Sequence, residues 1–493
     1  MKMTVVMVLF VGVLTYFFGL QDKGFKLKRG VAAAPVILSP EVFDAFQNYC
    51  VTCHTQFENE QAILNNKRNI YNRIVWLKET PDTPPKIAMP RGAARMEFKD
   101  IDPVVYEAML NAMSVPDSRP QQNPNVAKLI VPEGFTVELL ATVPGARSIV
   151  LGDEGMIFIG TGGFANPLER IYVIWDKNKN DQIEKTEIRI IADNLQNPNG
   201  VAFRKGTLFV AEEHQIVRYD NITQWVKSTD STILLTSAQS KIVTDDFPKE
   251  GGHSWKYIRF GKAPNDNQLY FTVGAPCNVC LSAGSAAIYR VNVDNGQQEM
   301  YAEGVRNSVG FDFHPQNGQL WFTDNGRDSL GDNFPPDELN VATAKGQHFG
   351  FPHCHGMQDP AGRDKDPQFN RGEDCKKYQQ PAQALAAHAA ALGLRFYTGT
   401  QFPSQYRNQI FIAEHGSWNR STYSGHRVSL VTKDATGKMT YTPFIEGWVQ
   451  PGNTRWGRPV DVEVLSNGDM LVSDDGVPGS ANSGSLYRIR YSK

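Results

Sequence analysis

The feature that most restricts the fold is a pattern that recurs six times after residue 145. Each copy is an apolar strand, a turn with Gly, and a second apolar strand that ends in a small or acidic residue. The copies begin at Ser148, Gly200, Tyr257, Gly310, Leu394 and Asp461. Radial repetition of such hairpins predicts an all-β six-bladed β-propeller over residues 131–493, with a two-sheet sandwich as the alternative.

The composition agrees with a turn-rich β protein and excludes two classes of partner. The 493 residues include 42 Gly and 29 Pro, and 11% of them are aromatic, as is common in β proteins with many turns. Because 50 Lys and Arg balance 52 Asp and Glu, no excess of positive charge is available for nucleic acid or an anionic membrane surface. We therefore expect no nucleic-acid partner.

A second, smaller domain is indicated by Cys50, Cys53 and His54, which form the C-x-x-C-H sequence that attaches c-type haem. The two thiols add to the haem vinyl groups, and the imidazole is offered to the iron. A disulfide or half a zinc site is the alternative, but neither needs a histidine at this offset. We expect covalent haem c.

The haem sequence lies in a segment of predicted helices, residues 38–115, with helix-start signals at residues 39–41 and 102–103. The segment resembles the single-haem class I cytochromes c, in which a Met-Pro after the attachment site supplies the second iron ligand. That residue is Met89 here; core filling is its alternative role, and the competing methionines are Met96, Met109 and Met113. We predict a small all-α cytochrome c domain whose methionine raises the haem potential.

Residues 1–34 predict an export signal or, alternatively, an uncleaved membrane anchor. Residues 4–20 are uncharged and almost wholly apolar, which is long for a signal sequence and slightly short for a spanning helix. Since c-type haem implies a compartment outside the cytoplasm, we expect a periplasmic or extracellular protein, with or without an anchor. Residues 116–130 are polar and predict a linker between the two domains.

The segment of residues 176–187 has the spacing of an EF-hand calcium loop. Its positions 1, 3, 5, 7, 9 and 12 are Asp176, Asn178, Asn180, Gln182, Glu184 and Glu187. Position 6, normally Gly, is Asp181, which tolerates a left-handed conformation better than most residues. A structural Ca²⁺ remote from the redox chemistry and a solvated polar loop are the two interpretations.

Cationic and amide side chains stand at corresponding ends of several repeats, where a propeller gathers them at one central face. They are His253 before the third repeat, Arg306 and Asn307 before the fourth, Arg420 after the fifth, and Arg455 and Arg458 before the sixth. Several arginines at one mouth predict an anionic ligand with carboxylates. Any one of them alone would be read as a surface salt-bridge partner.

At these residues the chain resembles the quinoprotein sugar dehydrogenases, over about residues 130–490. These enzymes, related to soluble glucose dehydrogenase and sorbosone dehydrogenase, use pyrroloquinoline quinone (PQQ). The resemblance implies a six-bladed propeller with PQQ across its axis. It also implies oxidation of a sugar or related alcohol or aldehyde.

The resemblance further implies a role for each residue of the predicted site. His253 takes the proton of the substrate hydroxyl, and a buried histidine that donates to a backbone carbonyl is the alternative. Arg306 and Asn307 contact the quinone oxygens. The Ca²⁺ that polarises PQQ is bound by the carbonyls of Gly326 and Arg327, and the PQQ carboxylates are held by Arg420, Arg455 and Arg458.

Two departures from the soluble glucose enzymes weigh against glucose as the substrate. This chain has Gly252 where those enzymes have an acidic residue before the histidine, and residues 275–280 where they have another. The second departure favours the sorbosone-type branch.

The remaining cysteines predict two disulfides in an oxidising compartment. Leu281 follows Cys280, so the second C-x-x-C is not a haem site. We expect a local Cys277–Cys280 disulfide near the substrate mouth, with free thiols as the alternative. Cys354 and Cys375 flank a long insertion and should form a structural bridge.

Together these features predict an exported quinohaemoprotein that passes electrons from PQQ to its own haem, and then to an external acceptor of a respiratory chain. Two rivals remain at this point. One is another haem-plus-propeller enzyme, such as a cytochrome cd₁-type nitrite reductase. The other is an electron-transfer module fused to a carbohydrate-binding propeller.

The haem ligand assignment is directly testable. We predict that Met89→Ala lowers the haem reduction potential, because a thioether opposite histidine raises it. The same variant should lose the red-edge absorption band of the methionine–iron bond. If that band survives in Met89→Ala and disappears in Met96→Ala, Met89 is not the ligand.

Overall fold

The computed structural model describes residues 123–162, 169–229, 232–249, 251–357, 363–477 and 483–492. All of them belong to one compact unit, Pro116–Lys493. The predicted export segment and the predicted cytochrome domain, with Cys50, Cys53, His54 and Met89, lie outside the described residues and stay predictions. No helix in the described ranges is long and apolar enough to cross a membrane.

The strands form six blades around a ring. Strand β1 (Phe135–Thr142) comes first in the chain. Blade 1 consists of β2 (Ala146–Leu151), β3 (Ile157–Thr161), β4 (Ile171–Ile174) and β5 (Ile188–Ala192). Blade 2 consists of β6 (Gly200–Arg204), β7 (Thr207–Ala211), β8 (Ile216–Tyr219) and β9 (Lys241–Thr244), with helix α1 (Ile222–Ser228) between the last two.

The main insertion lies between the third and fourth strands of blade 4, and it also pairs with the last strand of blade 3. Blade 3 consists of β10 (Ile258–Phe260), β11 (Gln268–Val273), β12 (Ala287–Asn292) and β13 (Gln298–Glu303). Blade 4 begins with β14 (Phe311–Phe313), β15 (Leu320–Asp324) and β16 (Pro336–Ala342). The insertion contains β17 (Gln347–His348), which pairs with β13, and the hairpin β18 (Cys354–His355) with β19 (Asp364–Lys365), before β20 (Gln383–Ala387) completes blade 4.

Blades 5 and 6 complete the ring. Blade 5 consists of β21 (Ala391–Phe396), β22 (Ile410–Glu414), β23 (Arg427–Lys433) and β24 (Met439–Ile445). A hairpin of β25 (Val449–Gln450) and β26 (Thr454–Arg455) follows. Blade 6 consists of β27 (Pro459–Val464), β28 (Met470–Asp474) and β29 (Ser485–Tyr491), with β1 as its outermost strand.

The six predicted hairpins are therefore the first two strands of the six blades, and the propeller prediction is confirmed. In every blade the first strand pairs antiparallel with the second, as β14 does with β15 from Phe311↔Phe322 to Phe313↔Leu320. The second strands are buried along their whole length in most blades, for example β15 and β22. Both faces of each blade pack against neighbouring blades, which explains near-continuous apolar runs in place of strict alternation.

The ring is closed by pairing between the two ends of the propeller sequence. Strand β1 runs antiparallel to β29 from Phe135↔Tyr491 to Thr142↔Ser485. The Phe135 ring also packs edge-on against Phe402 at 4.8 Å and Phe444 at 5.0 Å between centroids, so β1 is anchored in the core shared by blades 5 and 6. The first strands of the blades surround the centre of the ring, where their short edges are protected from pairing with another chain.

Buried charges join four blades through their inner strands. The Arg395 guanidinium lies 3.1 Å from Glu463 Oε2 and 3.6 Å from Asp461 Oδ2. Arg259 reaches the same Glu463 oxygen at 3.0 Å and Asp312 Oδ1 at 3.2 Å. Burial alone would raise the pKa of Glu463, but Arg259 and Arg395 lower it to about 2. Glu463 is therefore ionised at neutral pH, and the network stabilises the ring only as a complete set.

This network predicts the effect of removing Arg395. Arg395→Met should lower the free energy of unfolding by about 3–5 kcal/mol, because it removes the cation paired with buried Asp461 and leaves buried Glu463 with Arg259 alone. Denaturant unfolding followed by tryptophan fluorescence measures the change. Arg407→Met, at an exposed position of the same blade, is the matched control and should change stability by less than about 0.5 kcal/mol. Equal effects of the two variants would contradict the role given to the network.

Candidate functional site

A cavity of about 710 Å³ opens among the loops that follow and precede the blade strands. Its lining comes from five blades and includes most of the predicted site: His253, Arg306, Asn307, Gly326, Arg455 and Arg458. Arg147, Asn278, Asp328, Asp337, His415 and Asp475 also line it. The blade ends therefore bring these six residues to the lining of one cavity.

The His253 side chain is a neutral imidazole, and its Nδ1 is hydrogen-bonded to a backbone carbonyl. Its Nδ1 lies 2.6 Å from the carbonyl oxygen of Ala275; since a carbonyl only accepts, Nδ1 carries the proton. Burial, and next the charge of Arg306, lower the pKa of His253 to about 4. The described residues offer Nε2 no hydrogen-bond partner, so it is left as an acceptor for a cavity ligand. The hydrogen bond to a backbone carbonyl that was expected for a structural histidine is therefore present. The same hydrogen bond sets the tautomer that a catalytic base would need, with Nε2 unprotonated.

Gly252 is required by the backbone beside His253. Its φ is +113°, in the region that favours glycine. A Cβ built at this position would lie 2.4 Å from the carbonyl oxygen of Pro276. An acidic residue therefore cannot stand here without moving residue 276, which gives the departure at position 252 a steric cause.

Arg306 is fixed against the cavity wall by all of its donor groups. Its Nε and Nη2 donate to the carbonyl and side-chain oxygens of Asn278, both at 2.9 Å. Its Nη1 donates to the carbonyls of Asn325 at 3.1 Å and Gly326 at 3.0 Å, and Nη2 also reaches Asp328 Oδ2 at 3.2 Å. A guanidinium bound at five points has one position relative to the cavity.

Asn307 presents a buried acceptor without a partner. The backbone N–H groups of Arg306 and Asn307 donate to the two carboxylate oxygens of Asp324, at 2.9 and 2.7 Å. This fork orients Asn307, whose Oδ1 has no hydrogen-bond partner among the described residues. Because a buried acceptor is costly without a donor, a bound ligand with a donor at this wall would satisfy it.

Arg455 and Arg458 carry charge that no carboxylate of the described residues neutralises in an ion pair. Arg458 donates to the carbonyls of His415 at 3.1 Å and Gly416 at 3.0 Å. Arg455 lies over the Tyr423 ring at 4.8 Å. Burial, partly opposed by Asp475, lowers the pKa of Arg458 to about 10, and the neighbouring arginines add to this. The pair is a receptor for ligand carboxylates.

Asp475, the lining carboxylate that acts on Arg458, is paired with other cations and donors. Asp475 Oδ2 lies 2.8 Å from Arg147 Nη1 and 2.9 Å from His415 Nε2. Burial acts to raise its pKa, but His415 and the arginines lower the pKa of Asp475 to about 2. Burial lowers the pKa of His415 to about 4. This cluster builds the wall between blades 6, 1 and 5, and Arg458 has no ion-pair partner among the described residues.

The lining also contains polar residues that the sequence patterns did not predict, among them Arg147, Asn278, Asp328, Asp337 and Asp475. For Asp475 a signal existed, because acidic residues at the end of a second strand belong to the repeat pattern. Asp337 lies in the DELN sequence, and its carboxylate accepts from the backbone N–H groups of Gly326 at 2.9 Å and Ala391 at 3.2 Å. Asn278 had no signal, since its partners are distant in the chain.

Two predicted residues do not join the cavity lining. Arg420 is half-buried outside the lining and donates to Asn333 Oδ1 at 3.3 Å and the Thr422 carbonyl at 3.2 Å. Arg327 turns its side chain into the insertion, where it pairs with Asp366 at 2.8 Å. Of the three arginines assigned to PQQ carboxylates, the structure therefore brings together Arg455 and Arg458.

The loop of residues 176–187 lies outside the cavity. Asp181 has φ +64°, which confirms the left-handed position. Asp176 accepts from the backbone N–H groups of Asn180 and Asp181 at 3.2 and 2.9 Å, while Asp181 pairs with Arg488 of β29. No group of three or more His, Cys, Asp or Glu side chains suited to a metal occurs in the described part of the chain. Calcium at Asp176, Asn178, Asn180, Gln182 and Glu187 stays a prediction.

Both expected disulfides are present. Cys277 and Cys280 are bonded, with Cα atoms 6.1 Å apart, and Cys277 lines the cavity. Cys354 of β18 is bonded to Cys375 in the insertion, with Cα atoms 5.8 Å apart. The free-thiol alternative for the first pair is therefore wrong.

Comparison with known proteins agrees with this architecture. A family model described as TrAA12-like matches residues 129–487. The chain belongs to the TrAA12-like family. A protein of Borreliella burgdorferi described as an "Uncharacterized protein" is 34% identical over 374 residues, covering 74% of this chain and 91% of that protein.

Solved structures share the fold. The calcium structure of Trichoderma reesei Carbohydrate-Active Enzymes Family AA12 has a TM-score of 0.62 at 18% identity, covering 76% of this chain and 100% of that chain. The holo form of the pyranose dehydrogenase PQQ domain from Coprinopsis cinerea has a TM-score of 0.58 at 17% identity, covering 76% and 97%. At these identities the likeness shows the propeller fold of this TrAA12-like chain.

The ionisation of His253 is a testable property of this site. We predict that its imidazole titrates near pH 4 in an NMR titration of the protein, so that it is neutral at pH 7. Arg306→Gln should move the midpoint upward, because the Arg306 charge disfavours the protonated ring. A midpoint near 6.5 in the wild type would contradict the burial described for this imidazole.

Proposed function

We propose that the propeller is a PQQ-dependent dehydrogenase that oxidises a sugar or a related alcohol or aldehyde. The observation that carries this proposal is one cavity that holds two arginines without carboxylate partners, Arg455 and Arg458, and a neutral histidine with a free nitrogen. PQQ is an anionic quinone with several carboxylates, and it matches the first feature. The unpartnered Asn307 Oδ1 offers a further polar contact.

Relatives with the same fold support the choice of cofactor and substrate class. One is named as a pyranose dehydrogenase PQQ domain. Another is the PQQ-bound form of an aldose sugar dehydrogenase from Streptomyces coelicolor, with a TM-score of 0.50, 15% identity, and coverage of 73% of this chain and 99% of that chain. The departures at Gly252 and residues 275–280 set this chain apart from glucose-specific enzymes.

The residues of this chain carry out the proton part of the reaction. PQQ, when bound, supplies the acceptor for the hydride that leaves the substrate carbon. His253 Nε2 accepts the hydroxyl proton as the carbonyl of the product forms. The Nδ1–H bond to Ala275 holds the ring in the tautomer that leaves Nε2 free. Because its pKa is lowered to about 4, the imidazole is neutral near pH 7 and has a lone pair with which to accept this proton.

Calcium at the quinone is a finer proposal, and the described residues fit it only in part. The Gly326 carbonyl is at the cavity, but it already accepts from Arg306 Nη1 at 3.0 Å. Arg327 is absent from the described lining. A cation at Gly326 would have to share this oxygen with a guanidinium, so we assign no step to calcium.

We further propose that electrons pass to a haem c attached at Cys50 and Cys53, with His54 and Met89 as iron ligands. The C-x-x-C-H sequence supports this step. An external acceptor would then oxidise the haem in the periplasm or outside the cell, where the two disulfides are also stable. Residues 1–34 would serve for export or as an anchor.

The carboxylate receptor is tested by PQQ titration of the apo protein. Arg458→Gln should raise the PQQ dissociation constant about 10- to 100-fold, because a charge-assisted hydrogen bond contributes about 1.5–3 kcal/mol. Arg420 was assigned to a PQQ carboxylate from the sequence but does not line the cavity. Arg420→Gln should therefore change the PQQ dissociation constant by no more than about twofold. A large effect of Arg420→Gln with none of Arg458→Gln would reverse the assignment. Repeating the titration with and without Ca²⁺ tests the calcium proposal.

The base is tested by substrate-driven haem reduction over a panel of sugars. His253→Ala should slow it by about 10²–10⁴-fold, with PQQ content and haem spectrum unchanged. His314→Ala, in a turn of blade 4, is the matched control and should act like the wild type. A loss under tenfold with PQQ fully bound removes His253 from the mechanism. No haem reduction by any sugar in the PQQ-loaded wild type would contradict the proposed electron transfer from PQQ to haem.

A further inference from the structure

One short segment supports both His253 and Arg306. Residues 275–280, here called the cysteine loop, follow β11. The carbonyl of Ala275 accepts from His253 Nδ1 at 2.6 Å and from the His253 backbone N–H at 3.2 Å. The Ala275 N–H donates to the Arg306 carbonyl at 2.8 Å. The candidate base and the fixed guanidinium therefore share one backbone support.

Asn278, at the centre of the loop, is the principal ligand of the Arg306 guanidinium. Its carbonyl oxygen and Oδ1 each accept from Arg306 at 2.9 Å. Its Oδ1 also accepts from the Asp328 N–H at 2.8 Å, and its Nδ2 donates to the Asp328 carbonyl at 3.1 Å. Asp328 in turn accepts from Arg306 and from Asn419 Nδ2 at 3.1 Å. Asn278 thus connects loops of blades 3, 4 and 5 around one cation.

The Cys277–Cys280 disulfide closes a small ring that contains Asn278. With two residues between the cysteines, the backbone that presents the Asn278 carbonyl has few alternative conformations. Pro276, on the near side of the loop, packs against Gly252 so closely that a Cβ there would lie 2.4 Å from its carbonyl oxygen. The loop is held at both ends, and no helix or sheet pairing contributes to it.

We infer that Asn278, held in place by the Cys277–Cys280 disulfide, is a positioning residue that fixes the Arg306 guanidinium at the cavity wall, and that PQQ affinity depends on this bond. The inference rests on the proposed function. Asn278 acts through Arg306 and has no chemical step of its own. Breaking the disulfide widens the range of loop conformations and releases two of the five contacts of Arg306.

This arrangement has a second measurable consequence that does not require PQQ. Burial is the largest cause of the lowered pKa of His253, and the positive charge of Arg306 is the second. The hydrogen bond to the Ala275 carbonyl acts in the opposite direction and raises this pKa. If Arg306 moves away from the wall, the protonated imidazole is less disfavoured. The His253 titration then moves upward from about 4 towards its ordinary range.

The experiment compares full-length variants with matched controls. Asn278→Ala removes the side-chain contacts, and Cys277→Ser/Cys280→Ser removes the ring closure. Asn267→Ala, in a turn of the same blade, and Cys354→Ser/Cys375→Ser, which removes the disulfide of the insertion, are the controls. The readouts are the PQQ dissociation constant by spectral titration and the His253 midpoint by NMR in the apo protein.

A third arm uses the wild type, in case a variant does not fold. Dithiothreitol reduces the Cys277–Cys280 bond to two thiols, taking up two electrons and two protons, and is itself oxidised to its cyclic disulfide. It is removed by anaerobic gel filtration before PQQ is added. The Cys354–Cys375 disulfide is more buried, since its cysteines are 1% and 4% exposed. The Cys354→Ser/Cys375→Ser variant shows how much the loss of this second disulfide changes PQQ affinity and the His253 midpoint.

We expect the PQQ dissociation constant to rise at least about tenfold, and the His253 midpoint to rise, in both test variants and in the reduced wild type. The controls should match the untreated wild type. Weaker PQQ binding with an unmoved His253 midpoint would overturn the inference, because general loosening gives that result. An unmoved midpoint together with unchanged PQQ affinity would overturn it as well. Failure of the untreated wild type to bind PQQ refutes the proposed function, whereas the His253 midpoints still decide whether Asn278 positions Arg306.

Discussion

The antiparallel pairing of β1 with β29 is the interaction on which the rest of the structure depends. It joins residues more than 340 positions apart, from Phe135↔Tyr491 to Thr142↔Ser485, and it brings blade 6 beside blade 1. Only in a closed ring do the six inner strands face a common axis. The cavity, whose lining comes from five blades, exists because this closure holds the blade ends at fixed distances from one another.

The same ring contains two kinds of buried charge with different consequences. Near the inner strands, Arg259 and Arg395 are paired with Asp312, Asp461 and Glu463, so these charges hold blades together. At the cavity, Arg455 and Arg458 have carbonyl partners but no ion-pair partner in the described chain. Both arginines are half-buried, and cations without an ion-pair partner at a cavity are typical of a binding site for anions and not of a structural core.

The site also shows how one contact can serve both structure and chemistry. The Ala275 carbonyl holds His253 as a structural partner would, and the same hydrogen bond leaves Nε2 as the free nitrogen. Arg306 is bound at five points and lowers the pKa of the neighbouring imidazole. The protonation of His253 therefore depends on the Ala275 carbonyl and on Arg306, which Asn278 of the cysteine loop binds. The family resemblance assigns a role to His253 and to Arg306 separately and does not include this coupling.

The sequence by itself determined the number of blades, because each hairpin is encoded locally by its own apolar strands and Gly turn. It also identified His253, Arg306 and Arg458, which lie at equivalent blade ends, and both disulfides. The tertiary structure decided which arginines share the cavity: Arg420 lies outside its lining, whereas Arg147 lines it and pairs with Asp475 across 328 positions. It also decided the role of Asn278, whose partners belong to the next blade. Periodicity predicts where a strand lies, but contacts between loops of different blades depend on the angle and distance at which the closed ring sets them.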